Sequence, residues 1–391
     1  MVLNFTRRRK FESIHINYSM STPISKLRVT RFRSLRDVTV GPFGQVNLIT
    51  GKNNAGKSSL LEAIRILVTE GAPNTFYNIL NYREETGGGT PELESGLSPT
   101  DTSSFSSLFS GFPNLAGCEE PFTISNQNGG DSPVKTVSVR VGWYSEQSDP
   151  DQGRRLIKAE TDLFGESIGI PMLEIEAPSR RRLLRIDPQR PYRRGLSESG
   201  EGVPTSCIYL DPFSSRSTSQ LAALWDSIAL QGEEQVVAAL QIISSDIEAI
   251  RMIGTELGSR SRTAIAKSRK YPNPIPLRTF GDGVNRLFGI ILSLSCAKGG
   301  VLLVDEIENG LHHSILSKVW AVIFQMAEAL KVQVFATSHS WDCIKAFQEA
   351  ACSSPNDGVL VRLSVKDELV IPTLFREEEL RIAARDQIEL R

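Results

Sequence analysis

Hydrophobic positions fall into two rhythms along this chain. Alternation with a period of two marks half-buried strands, and recurrence at three and four residues marks helices. Within residues 26–50, KLRVTRF and QVNLIT read as two strands divided by a turn around Gly41–Gly44. LLEAIRIL follows with helical spacing and predicts a helix from Lys57 to about residue 70. Alternation returns in VKTVSVRVGWY, RRLIKAETDLF and PMLEIEAP, which predict antiparallel strands in a meander. CIYL, VLLV and VQVFA are apolar throughout, as in strands buried on both faces. LAALWDSIAL and EEQVVAALQIISSDIEAIRMI carry helical spacing, as do RTFGDGVNRLFGIILSL and residues 313–330 and 341–351. Strands GVLVRLSV and ELVIPTLF and a charged helix come last.

Four apolar strands with helices between them predict an α/β fold with a mostly parallel central sheet. The alternating strands add an antiparallel β-layer, and residues 206–290 a helical lobe. Residues 217–255 lack the sustained heptads of a coiled coil. The stretch from Asn74 to Pro133, rich in Gly, Ser, Thr and Pro, is expected as loop, and so is the basic GSRSRTAIAKSRK.

VNLITGKNNAGKSSL (46–60) carries the first chemistry. An apolar strand runs into Gly51, Lys52, Asn53, Asn54, Ala55, Gly56, Lys57, Ser58 and Ser59, and then directly into a helix. The two glycines allow a turn tight enough for successive N–H groups to face phosphate oxygens. Lys57 neutralises the outer phosphates, and the Ser58 hydroxyl suits Mg²⁺. The helix adds its positive N-terminal end. This is a P-loop, and it implies a nucleoside triphosphate.

VLLVDEIENG (301–310) ends a buried strand on Asp305 and Glu306. Beside a phosphate loop, an aspartate there reaches Mg²⁺ and the following glutamate polarises the attacking water. Glu308 is one more loop carboxylate and reads as solvated. VQVFATSHS places His339 just past another buried strand, where a histidine can meet the terminal phosphate or the catalytic water.

Composition narrows the setting. Forty-four basic and 45 acidic residues among 391 give a net charge of −1, so any basic surface is local. Five scattered cysteines, Cys118, Cys207, Cys296, Cys343 and Cys352, predict reduced thiols in a cytoplasmic protein. Four histidines cannot build a His-rich metal site. No run approaches the roughly 18 to 20 apolar residues of a membrane span. Arg7, Arg8, Arg9 and Lys10 lead into no apolar run, so no secretory signal is expected; residues 1–25 read as a basic tail, and Met20 is an alternative start.

Five segments together resemble the ABC-type ATPase head of the branch shared by RecF, SMC proteins and the OLD-family nucleases. They are LRVTRFRSLRDVTV, GKNNAGKSS, TFGDGVNR, LLVDEIENGLHHS and ATSHS. The match is nearest to stand-alone AAA-family ATPases of anti-phage systems such as Septu and certain retrons. It covers about residues 26–80 and 206–391, and implies one ATPase domain over 26–391 with ATP and Mg²⁺ as its ligands. In that domain 26–205 would be the phosphate-loop lobe with a β insertion, 206–290 the helical lobe, and 291–391 the acidic strand and histidine part. The resemblance further implies that Gly281, Asp282 and Gly283, with Arg286, form a signature segment completing the nucleotide site of a second protomer. A head-to-tail homodimer would then close around two ATP molecules. Asn309, Gly310, Leu311 and His312 resemble the loop that senses the partner's nucleotide, and Arg33 resembles an N-terminal arginine that approaches the nucleotide; a solvated strand arginine is the alternative. The chain departs from the pattern where a glutamine commonly ends the strand before the helical lobe. LDPFSS stands there, with Asp211 and Ser214 as candidate substitutes.

The resemblance implies control of a separate effector, a nuclease, and no nuclease-like acidic cluster follows residue 375 in this sequence. The other reading is a RecF-like DNA-binding switch in repair. Seven arginines between Arg180 and Arg194 are candidate phosphodiester contacts, with Tyr192 the one aromatic among them.

Overall fold

The computed structural model describes residues 24–83, 85, 104–127, 135–149, 153–159, 169–186, 205–212, 218–228, 230–254, 262–353 and 358–385. The expected tail lies outside them apart from its last two residues.

A six-stranded sheet forms the centre, in the order Leu369–Phe375, Gly358–Lys366, Val46–Gly51, Gln333–Thr337, Val301–Val304 and Cys207–Leu210. The last five run parallel, and Leu369–Phe375 is the antiparallel edge. Successive residues point to opposite faces, and both faces are buried. Leu302, Val304, Val334 and Ala336 join one core with the helices Asp282–Cys296, His313–Leu330 and Trp341–Cys352. Val301, Leu303, Phe335 and Ile49 join a second core with the helix Lys57–Val68. This explains the unbroken apolar runs: each strand residue has a core to enter.

The second core is closed by an antiparallel sheet, ordered Leu35–Val40, Leu27–Phe32, Phe122–Asn126, Lys135–Asp149, Ile170–Glu176 and Arg181–Arg185, with Gly153–Lys158 also paired to Lys135–Asp149. The antiparallel pairing predicted from alternation is therefore present, but not as a simple meander, since Gly153–Lys158 and Ile170–Glu176 both pair with Lys135–Asp149. The helix Lys57–Val68 is clasped between the two sheets, with Leu60, Leu61, Ala63, Ile64, Ile66 and Leu67 buried. Each fully buried Leu or Ile contributes about 1.5–3 kcal/mol over an exposed one, so the helix that carries the phosphate loop is among the most firmly seated elements.

Several boundaries differ from expectation. Residues 26–50 hold three strands, because LRDVTV (Leu35–Val40) folds back on Leu27–Phe32 as a hairpin. The expected loop after Asn74 contains the helix Pro73–Tyr82 and the strand Phe122–Asn126. Pro73 opens that helix at a position where a missing N–H costs nothing. The single helix expected over 233–253 stops at Gln241, and Ile247–Gly254 is a strand paired with Arg262–Ser268. IEAIRMI satisfies both periods, and the strand wins because Asp246 accepts from Ser244 Oγ at 3.1 Å and Ser268 Oγ at 2.8 Å, breaking the helix and tying the hairpin. Within the expected basic loop 258–270, Arg262–Ser268 is accordingly strand. Among the described residues, no helix is long and apolar enough to cross a membrane.

Candidate functional site

Register brings the chemistry to one edge. Thr337 stands opposite Ile49, and Val304 opposite Ala336. Gly51, Ser338 and Asp305 therefore leave the parallel sheet together at its carboxyl end, where ligands of such sheets gather.

The phosphate loop needs its glycines. Gly51 has φ +145°, and a Cβ there would lie 2.4 Å from the Leu363 carbonyl oxygen of the next strand. Gly56, at φ +91°, turns the chain into the helix. Lys52, Asn53 and Asn54 are exposed, Ala55, Gly56 and Ser59 buried, and Ser58 half-buried at the first turn. Lys57 Nζ donates to the carbonyls of Gly51 at 2.8 Å and Lys52 at 3.1 Å, folded over its own loop. Burial pushes its pKa down, against the pull of Asp305, Glu306 and Glu308. Lysine and acids thus share one electrostatic field.

Asp305 is buried, and the Thr337 hydroxyl donates to its Oδ1. The Tyr209 hydroxyl lies 3.4 Å from Oδ2. Thr337 Oγ1 also accepts from the Glu306 N–H at 2.8 Å, so one hydroxyl fixes both neighbouring acids. Glu306 takes a left-handed φ of +46°, a conformation rare outside glycine and characteristic of functional turns. Its Oε2 accepts from Asn309 Nδ2 at 2.8 Å. His339 is exposed, with Nδ1 3.9 Å from Glu306 Oε1 and 3.4 Å from Glu308 Oε1. The Ser58 hydroxyl and the Asp305 carboxylate are hard oxygen donors beside the phosphate loop, and they fit Mg²⁺, which takes one or two protein oxygens with the rest from phosphate and water.

The signature segment divides in two. Gly281 and Asp282 are exposed at the start of Asp282–Cys296, and nothing lies within 4 Å of a Cβ built on Gly281. Gly283 sits against the Gly310 carbonyl and Leu311. Arg286, expected to reach a partner's nucleotide, is instead buried and donates to the Asp211 carbonyl at 3.2 Å within its own chain. Burial lowers its pKa while Asp211, Glu308 and Asp305 oppose the shift. A helix turn places Arg286 on the inward face below the exposed glycine. Ser214 lies outside the described residues.

Arg33 also departs from expectation. Its guanidinium is buried, with Nε 2.7 Å from Glu62 Oε2, and NH1 and NH2 donating to Glu85 at 2.8 and 3.0 Å. The Glu62 contact is an ion pair lying off hydrogen-bond geometry. NH1 also meets the Ser107 carbonyl at 3.3 Å, and Arg83 Nε donates to Glu62 Oε1 at 2.7 Å. Arg33 is a structural clasp whose guanidinium is held by Glu62, Glu85 and the Ser107 carbonyl of its own chain. Of the arginine cluster, Arg181 pairs with Glu174 and Glu176, Arg182 donates to the Glu70 carbonyl, and Arg185 lies 3.4 Å from Glu146. Residues 187–194, with Tyr192, lie outside the described residues.

The sequence reading missed Tyr209, whose ring lies under the Arg65 guanidinium at 4.9 Å and near Tyr82 at 6.1 Å. A tyrosine inside an apolar strand was the available signal.

Phosphate loop, paired acids and histidine loop on one parallel-sheet edge define a P-loop ATPase. Residues 26–111 match a family described as "AAA domain", and residues 176–342 one described as "AAA domain, putative AbiEii toxin, Type IV TA system". An ATP/GTP phosphatase of Helicobacter pylori is 23% identical over 382 residues, covering 91% of this chain and 96% of that protein. RecF of Cellvibrio japonicus is 50% identical over 44 residues, 11% of this chain and 12% of that protein. Among solved structures, the SMC head domain from Thermotoga maritima is similar with TM-score 0.45 and 12% identity, covering 90% of this chain and 99% of that one. An SMC head bound to the C-terminal winged helix domain of ScpA has TM-score 0.49 and 14% identity, covering 92% and 99%. The chain is a P-loop ATPase whose matched segments are of the AAA-domain type.

Proposed function

We propose that this chain is an ATP-driven switch that hydrolyses ATP, pairs head-to-tail with a second copy around two nucleotides, and controls a separately encoded nuclease in defence against phage. The observation that carries the hydrolytic part is the Thr337 hydroxyl, which joins Asp305 and Glu306 beside the phosphate loop. Glu306 takes a proton from the attacking water as its oxygen bonds to the γ-phosphorus, and Asn309 holds the carboxylate for that task. The bond from the γ-phosphorus to the β–γ bridging oxygen breaks, and ADP and phosphate leave. Lys57 stabilises the charge on the outer phosphates, and His339 donates to the γ-phosphate. Ser58 and Asp305 would hold Mg²⁺, which would supply neutralisation of the phosphate charge.

Pairing is supported by the exposed helix start at Gly281 and Asp282, which leaves backbone N–H groups open to an anion. Control of an effector in phage defence, in the cytoplasm, rests on the resemblance to stand-alone defence ATPases. The toxin–antitoxin wording of one matched family agrees with it. The RecF stretch gives a DNA-dependent switch as the second reading.

The test is ATP turnover together with mass in solution, with and without DNA, for the wild type, Lys57→Ala and Glu306→Gln. Turnover without DNA, lost in Lys57→Ala, is expected. Glu306→Gln should slow turnover by roughly 100-fold or more while remaining paired in ATP. A Glu306→Gln variant that stays monomeric at saturating ATP refutes pairing. Turnover that appears only with DNA moves the assignment to the RecF-like switch.

A further inference from the structure

Glu308 follows the two acids given to metal and water, and the chemistry above leaves it without a task. It is not the solvated loop carboxylate expected from sequence, because its side chain is only 10% exposed. Its Oε1 accepts from Ser338 Oγ at 2.9 Å, from the His339 N–H at 3.0 Å and from the Ser340 N–H at 3.1 Å, and lies 3.4 Å from His339 Nδ1. Hydrogen bonds to an ionised acceptor are about twice as strong as neutral ones. Ser340 in turn caps the helix Trp341–Cys352 by accepting from the Cys343 N–H at 3.4 Å. One carboxylate therefore ties the loop at its exit from the strand, at His339 and at its entry into the helix. The imidazole alone is left projecting into solvent.

We propose that Glu308 is the positioning residue for His339, holding the loop 338–340 so that the imidazole meets the γ-phosphate without a search; this rests on the reading of His339 given above. Glu308 touches no reacting atom. It belongs to the same turn as Glu306 and Asn309, closed by the Leu311 N–H donating to the Glu308 carbonyl at 2.9 Å. The water-activating acid and the phosphate-binding histidine are thereby set from one short segment. Losing Glu308 would let the loop drift, and a displacement of about 1 Å in a catalytic group can lower turnover on the order of 100-fold.

The test uses the full-length chain and measures kcat, KM, ATP affinity and amide hydrogen exchange for the wild type, His339→Ala, Glu308→Ala, Glu308→Gln and Glu308→Ala with His339→Ala. Glu308→Ala should lower kcat roughly 10- to 100-fold with ATP affinity nearly unchanged, since the phosphate loop is untouched. Glu308→Gln, which keeps an acceptor oxygen for the two N–H groups, should recover much of that loss and guards against a misfolded alanine variant. In the double variant the Glu308 change should add nothing to the His339 change, because a residue acting through another is silent once that other is gone. Multiplying effects overturn the proposal, as does exchange at His339 and Ser340 that Glu308→Ala leaves unchanged. The exchange measurement stands even if the wild type proves to have no ATPase activity, so failure of the hydrolytic reading and failure of this one are separable.

Discussion

Replacing Arg33 by methionine separates a structural arginine from a nucleotide-binding one. The Arg33 and Glu62 side chains are 4% and 3% exposed, with 2.7 Å between Nε and Oε2. Removing one member of a buried pair costs about 3–5 kcal/mol, because the charge left behind has lost its compensation. Two features bring the cost to the lower end. Glu62 keeps Arg83 at 2.7 Å, and Glu85, at 22% side-chain exposure, can take up water. Methionine keeps most of the buried stem, so the cavity contribution is small. The expected loss is about 3 kcal/mol, read as the difference in unfolding free energy from urea denaturation. Burial pushes the Glu62 carboxyl upward against the opposing charges of Arg33 and Arg83, so neutralising it should relieve the defect. Arg33→Met combined with Glu62→Gln is expected to recover to within about 1 kcal/mol of the wild type. ATP affinity should stay within about twofold in both variants, since a 1.4 kcal/mol contact would already be tenfold. An Arg33→Met protein with wild-type stability and tenfold weaker ATP binding would refute the clasp and restore Arg33 to the nucleotide.

Two further outcomes follow from geometry and charge. Gly51→Ala should lower unfolding free energy by at least about 3 kcal/mol, because its Cβ would meet the Leu363 carbonyl at 2.4 Å with φ at +145°; a thermal midpoint equal to wild type would contradict the loop geometry. Glu174 is buried, which pushes its carboxyl up, but bonds from Arg140 and Tyr144 and the charges of Arg140 and Lys158 outweigh this and hold it below the ordinary 4.5. As acid is added, the unfolded chain takes this proton first, so stabilisation present above about pH 4.5 is lost as pH falls through the depressed folded value. Glu174→Gln should flatten the acid limb of stability against pH, and an unchanged limb would place the acid sensitivity elsewhere.

Much of the fold was legible because its signals are local. VLLV, the 313–330 helix and the phosphate loop each carry their evidence within one short continuous stretch, and the structure places them as read. IEAIRMI was misread because a window satisfying both periods is decided by its partner, and the partner strand Arg262–Ser268 was hidden in a Ser-rich stretch. Pro73–Tyr82 was lost to the Gly-rich segment after it, although Pro73 is a helix-start signal. Site residues divide the same way. Residue type and spacing singled out Lys57, Ser58, Asp305, Glu306 and His339 as candidates, and register brings their strands to one edge. Arg33 and Arg286 were assigned by position in a motif, yet each is decided by what lies across the fold: Glu62 and Glu85 for one, the Asp211 carbonyl for the other.

The three carboxylates of DEIE make the same point in chemistry. Asp305, Glu306 and Glu308 carry the same group within four residues, and their surroundings give them three separate tasks. Asp305 is buried among hydroxyl donors, which orient its carboxylate beside the phosphate loop, where it suits a hard cation. Glu306 is turned outward by its left-handed backbone and held by one amide, leaving its other oxygen open to a water. Glu308 is turned inward, where two backbone N–H groups and a serine hydroxyl converge on a single oxygen. The left-handed residue between strand and turn is what separates these directions. In a continued strand Asp305 and Glu306 would merely alternate, and Glu308 would return to the Glu306 face. The conformational cost at Glu306, of order 1–3 kcal/mol, therefore stands against the division of one acidic run into the metal ligand, base and brace proposed above.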